Sequence, residues 1–472
     1  MPPSKSTTCR HQNLNFNPSL HAATAGWKRE TLAKRIAATT PRGTLNSLNT
    51  PSENFSTFPA PLVLPGDELA YEPEDGDAPQ SLLSWTREKA RNKVTPERRT
   101  IYFMGPPKIE EGLEFVQRWT EPQVKSGKEK KVGFPETEAV KEYLEAFYHG
   151  LPVKMLQKVP CFTSDVVGRK GGKSAGRSAE TLWLNTHTKS GCIGIRTRKT
   201  PKGEFTNQLN LNDLLDAAIE ILPADAYALL MLVEHDIYED DDDDFACGRA
   251  YGGSRIAVVS GARYNPILDS VQNIEREHSW PVSHCADYMN ACCEDEDEIM
   301  EISEDSLLEI SEDSFLAKSG AVGKVVKETI GPMHAARAAH IALLSSGGKL
   351  SPSALSGLWL GRVCRTAGHE LGHCFGIAHC VYYACSMQAT ASVVEDARQP
   401  PYLCPVDLAK VLKATGSDVS QRYQAIVSFC GKYKDAHLFA AYAAWIKGRL
   451  EQIRVEAPVS QHFSSCLDDS WK

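Results

Sequence analysis

An α/β fold with a twisted, mostly parallel sheet is the class that three features of this 472-residue sequence predict. Short strand-like runs alternate with helix-like runs from about residue 100 onward, the pattern of a parallel sheet covered by helices. Residues 228–233 form a continuous apolar run, Ala-Leu-Leu-Met-Leu-Val, short enough for a strand buried on both faces. A long helix opens at Ser351, an N-cap followed by Pro352 at the first helical position. It should run to about Phe375, with Leu355, Leu358, Val363, Ala367 and Leu371 facing the core.

The elements follow in order. Residues 1–95 are rich in Ser, Thr, Pro and Asn and show no sustained helix or strand period, so a disordered region is expected there. Residues 96–455 are expected to form one domain. A strand at 99–104 stops at Gly105-Pro106-Pro107, and helices are expected near 109–119 and 137–149. Strands should occupy 153–159, 181–185 and 192–196, with a Gly/Ser/Lys/Arg loop at 165–180. Asn212 is a good N-cap for a helix reaching Ile221. The acidic run 239–244 reads as a solvated loop, with a cation site or a docking patch as alternatives. Another strand covers 256–260. Residues 269–325 look like an acidic insertion holding a tandem octad, EISEDSLL then EISEDSFL, compatible with one amphipathic helix or with a mobile arm. His284, Cys285, Cys292 and Cys293 lie in it but fit no common zinc template. Pro332 opens another helix, and helices at 405–414, 418–433 and 436–453 should form a C-terminal lobe before a loose tail at 456–472.

The net charge of −8 argues against a general nucleic-acid binder, which needs a basic face. No run of eighteen apolar residues predicts a membrane span, and the first thirty residues lack the apolar core of a secretory signal. An intracellular, cytoplasmic protein is therefore expected, with the nucleus or the mitochondrion open because bases outnumber acids at the start. The 14 cysteines are then better read as metal ligands or reduced core thiols than as a disulfide framework.

Residues 369–379 read His-Glu-Leu-Gly-His-Cys-Phe-Gly-Ile-Ala-His. On a helix His369 and His373 project from one face a turn apart, so both imidazoles can reach one metal. Gly376 can take positive φ and break the helix, which returns His379 as a third ligand. Three neutral imidazoles leave the fourth tetrahedral position for water, as a catalytic zinc requires. Glu370 sits beside the first ligand, where it can accept a proton from that water and pass it to a leaving amine. Such a match arises by chance on the order of once in ten thousand chains of this length.

Cys380 and Cys385 follow at once, then Met387, Cys404 and Asp407. The run H-E-x-x-H-x-x-G-x-x-H-C-x4-C-x-M resembles the archaemetzincin family of zinc metallopeptidases. The resemblance is most specific over 369–407 and extends weakly over about 100–450, including Glu234-His235-Asp236-Ile237-Tyr238 and Ala262-Arg263-Tyr264. It implies a metzincin-like domain with a sheet above the active helix and a helical C-terminal lobe below. It implies that His369, His373 and His379 hold the catalytic zinc, that Glu370 is the general base, and that Met387 forms an apolar floor. It implies that Cys380, Cys385 and Cys404 are three of the four thiolates of a structural zinc. Asp407 stands where the family has the fourth cysteine. A Cys3Asp site, a fourth ligand from elsewhere and three buried thiols without metal all remain open.

The expected activity is hydrolysis of peptide bonds by a zinc-bound water that Glu370 activates, in short peptides or unfolded segments. The alternative is a non-catalytic, zinc-stabilised binding or scaffold protein that uses its acidic arm. One catalytic Zn2+ and a second, structural one are the expected cofactors. A monomer without nucleic-acid or membrane partners is expected. The strand at 255–260 is the candidate edge for pairing with a substrate.

Overall fold

A computed structural model of the chain describes residues 9–45, 57–67, 79–124, 132–164, 181–188, 191–294, 331–344 and 350–456. The strands in chain order are β1 (Thr100–Met104), β2 (Lys108–Ile109), β3 (Val153–Met155), β4 (Cys161–Thr163), β5 (Thr181–Asn185) and β6 (Cys192–Lys199). They continue as β7 (Asn207–Asn210), β8 (Ala226–Val233), β9 (Ile237–Tyr238), β10 (Gly248–Tyr251) and β11 (Ile256–Ser260).

One sheet has the order β10-β11-β8-β1-β3. Its pairs are parallel except β10 with β11, so the predicted mostly parallel sheet is present with one antiparallel edge. Every residue of β8 is buried, because apolar layers cover both faces. A second sheet, β2-β4-β5-β6-β7-β9, is antiparallel in its middle and parallel at its ends. Its short, partly exposed strands carry little periodic signal, which is why the sequence does not announce it as a separate sheet. The helix before β8 is capped by Asn210 and not by Asn212: the Asn210 side chain accepts the Asp213 N–H. The acidic run is tied down by Arg198, which donates to the carbonyls of Asp240 and Asp241 at 3.1 and 3.0 Å.

The helix Pro352–Cys374 runs beneath β10 and β11 and is buried along nearly its whole length. Helices Pro405–Thr415, Val419–Gly431 and His437–Glu456 form the C-terminal lobe. Of the described residues, none forms a helix long and apolar enough to cross a membrane.

Two expected boundaries need correction. Much of 9–95 is built into the core and is not disordered. Phe58 is 4 % exposed and sits edge-on to Tyr402 and Trp445, and Trp85 is 1 % exposed. These side chains dock singly from short helices and extended arms onto other elements, so no long period betrays them. Likewise 269–294 is not part of an acidic insertion. Trp280 and Val282 are fully buried, and Asp269 takes a bidentate grip from Arg362 at 2.6 and 3.0 Å. Cys285 and Cys292 join Leu62 and Leu64 in a small apolar cluster. The octad repeat, the loop at 165–180 and the tail from 457 lie outside the described residues.

Burial holds His235 and His284 down to about 4. In the unfolded chain both titrate near 6.5. The stability this contributes is complete above pH 6.5 and is lost as pH falls toward 4, at about 1.4 kcal/mol per group per pH unit. The thermal midpoint should therefore drop between pH 7 and pH 5; a flat midpoint over that range would show that these histidines take up protons without unfolding.

Candidate active site

His369 and His373 leave the helix Pro352–Cys374 one turn apart, and their Nε2 atoms lie 3.0 Å from each other. A carbonyl can only accept, so the Nδ1 of each ring donates: His369 to Ser386 at 2.6 Å and His373 to Ile377 at 2.8 Å. That fixes both tautomers with the Nε2 lone pairs facing one point. Gly376 closes the helix with φ +72°, and a Cβ there would fall 2.6 Å from the Arg91 side chain. The turn it allows returns His379, and ligand atoms of all three histidines lie within 4.8 Å of one another. Burial and then the neighbouring imidazoles hold His369 well below the ordinary value, and burial holds His379 at about 3. Neutral rings with oriented lone pairs are the donor set that zinc takes.

Met387 is fully buried under this helix. A Cβ on Gly372 would come within 2.5 Å of its Sδ, so the sulfur presses on the helix where there is no side chain. The Met387 carbonyl accepts the Cys380 N–H at 2.8 Å, which ties the floor to the residue after His379.

Glu370, on the same helix, is 8 % exposed and points toward β10. A Cβ on Gly248 would lie 3.1 Å from its Cγ and 3.2 Å from its Oε1. The strand at the sheet edge over the site is thus β10, not the expected 255–260, which corresponds to β11 in the interior between β10 and β8. Gly252, just past β10, approaches the His373 carbonyl so closely that a Cβ would fall 2.5 Å from its oxygen.

Cys380, Cys385, Cys404 and Asp407 are all buried, with one ligand atom of each inside a 4.8 Å cluster. Asp407 Oδ2 lies 3.3 Å from Cys385 Sγ and 3.5 Å from Cys404 Sγ. Its other oxygen, Oδ1, accepts from Lys410 Nζ at 2.8 Å. Asp407 and Lys410 are each 1 % exposed. Burial pushes Asp407 up to about 6, opposed by Lys410. The four side chains are compact enough for one metal ion, and the lysine offsets part of the negative charge. Cys364 and Cys374 are core thiols, pushed up by burial.

Sequence reasoning missed the clamp that holds this turn. Gln80 Nε2 donates to the Gly376 carbonyl at 2.9 Å, and its Oε1 accepts the Ala378 N–H at 3.1 Å. The same Oε1 accepts from Lys410 Nζ at 2.8 Å, so one side chain joins the two clusters. Trp85 Nε1 donates to the Phe375 carbonyl at 2.9 Å, and the Arg91 guanidinium stacks over the Trp85 ring. Lys410 could have been suspected, one helical turn from Asp407; Gln80, Trp85 and Gly248 act across long sequence separations and leave no local signal. Asp236 and Arg263 form a buried bidentate pair at 2.8 and 2.6 Å.

The family model described as peptidase family M54 matches residues 319–413, a span that contains both clusters except for their supporting arms. Archaemetzincin-2 of Pongo abelii is 23 % identical over 369 residues, covering 78 % of this chain and 73 % of that protein. The same protein from Rattus norvegicus is 35 % identical over 98 residues, 21 % of this chain and 26 % of that one. The crystal structure of an archaemetzincin from Methanopyrus kandleri aligns with 68 % of this chain and 98 % of its own at 15 % identity, with a TM-score of 0.29. The signature at 369–387 lies wholly inside the segment that matches the peptidase family M54 model, and over that segment the chain is similar to the archaemetzincins.

Proposed function

We propose that the chain hydrolyses peptide bonds in short peptides or unfolded segments with Glu370 as general base. His369, His373 and His379 would hold the catalytic zinc. The observation that carries this reading is the position of Glu370, adjacent in sequence to His369 and lodged against the edge strand β10 beside Gly248. Zinc, when bound, supplies acidification of a water and polarisation of the scissile carbonyl. Glu370 takes the proton from the attacking water and delivers it to the leaving amine. An extended peptide can pair by backbone hydrogen bonds with the open edge of β10, which sets its carbonyl over the histidines. Gly248 and Gly252 keep that strand low over the helix. Arg249, half-exposed on β10, is held by Glu239 at 2.7 Å and stands beside the path of the peptide.

Cys380, Cys385, Cys404 and Asp407 would hold a second, structural zinc. Asp407 would bind through Oδ2 while Lys410 keeps Oδ1. That site would fix the turn through Cys380, next to His379, and through Gln80. The domain would comprise 79–124, 132–164, 181–294 and 331–455, together with the packed parts of 9–67. The reading is tested by cleavage of an unbiased peptide library that depends on added zinc.

A further inference from the structure

Cys9, His11 and His278 form another cluster, outside both sets above, with one ligand atom of each inside 4.8 Å. Cys9 and His11 come from an N-terminal arm that is laid against the chain near Cys285. Leu14 bridges Cys285, the Asn15 N–H donates to the His284 carbonyl at 2.7 Å, and the Ala286 N–H donates to the Asn13 carbonyl at 2.8 Å. The arm is therefore in register with the structure that carries His278.

His278 is 3 % exposed. Its Nδ1 is 2.6 Å from Glu275 Oε2, and a carboxylate in that place fixes the proton on Nδ1. Its Nε2 is buried with no hydrogen-bond partner. His11 Nδ1 is likewise buried and without a partner. Burying a ring nitrogen unpaired is costly, and such groups are normally satisfied by protein, water or an ion. Stacking of His278 on Tyr288, with centroids 4.3 Å apart, explains the ring's position but satisfies neither nitrogen. A carboxylate on one nitrogen of a histidine that is clustered with another His and a Cys is the arrangement found at metal-bound imidazoles. Asp287 and Glu277 add negative charge around Cys9 and His11, while Arg337 opposes it at His11.

We propose that Cys9, His11 and His278 bind a divalent transition-metal ion of the zinc class, separate from the two ions of the proposed function. His278 Nε2, His11 Nδ1 and Cys9 Sγ are the ligands, with water completing the shell. Two nitrogens and a thiolate select zinc-like ions over magnesium or calcium. The ion staples the N-terminal arm to the segment that leads into residues 295–330.

The test uses the full-length chain, reduced, stripped with a chelator and titrated with Co2+ alone. Wild type should take up one equivalent more than Cys9→Ser or His278→Gln, with matching loss of a thiolate-to-cobalt absorption band. Metal should also protect Arg10 from trypsin in wild type and not in Cys9→Ser. Because His278 is buried, Cys9→Ser decides if His278→Gln misfolds. Equal uptake by wild type and Cys9→Ser, with no difference in cleavage at Arg10, would overturn the assignment.

Discussion

Glu370→Gln is expected to lower peptide cleavage by roughly 10²–10⁴-fold while zinc at the three histidines stays near one equivalent. The amide has the size of the carboxylate, so it fits the same space beside Gly248. It cannot accept the proton of the attacking water. His369 and His373 keep their orienting carbonyls, Ser386 and Ile377, which the substitution does not touch. Metal affinity should therefore hold while the rate falls. The measurement is kcat/KM on a fixed peptide alongside the metal content of the same sample. Full activity, or loss of the metal, would reject the role given to Glu370.

Asp407→Ala should release one equivalent of zinc relative to wild type and destabilise the C-terminal lobe. Stability alone cannot decide the matter. Removing the carboxylate leaves Lys410 charged, 1 % exposed and without its 2.8 Å ion pair, and breaking a buried pair costs about 3–5 kcal/mol with or without metal. Zinc content is the discriminating readout, because binding energy at a structural zinc adds to folding energy. Asp407→Cys should restore an all-thiolate set and retain the ion longer against a chelator. Equal zinc content in wild type and Asp407→Ala would remove Asp407 from the ligand set.

What the sequence made legible is what lies close along the chain. His369, His373 and Gly376 share one helix and its end, so their geometry follows from helical periodicity and one positive φ. The apolar run at 228–233 read correctly as a strand covered on both faces. What stayed hidden depends on tertiary placement. β10 is four residues long and half-exposed, and only its pairing with β11 makes it the edge over Glu370. Gln80 lies 296 residues from the carbonyl it holds. Phe58 and Trp85 come from a Ser/Thr/Pro-rich stretch whose composition resembles a disordered tail; each docks as a single side chain into a core made by other segments. The same holds for Trp280, whose spatial neighbours Tyr402 and Ala397 lie far along the chain and could not be inferred from the residues around it in sequence.

The most direct test of the account is zinc back-titration of the chelator-stripped, full-length chain against a peptide library, with wild type and Glu370→Gln in parallel. Stripped wild type should be inactive, cleavage should return as zinc is added, and Glu370→Gln should take up the same zinc yet remain roughly 10²-fold or more below wild type. Cleavage that survives stripping, or zinc-loaded wild type that cuts no peptide in the library, would contradict the account.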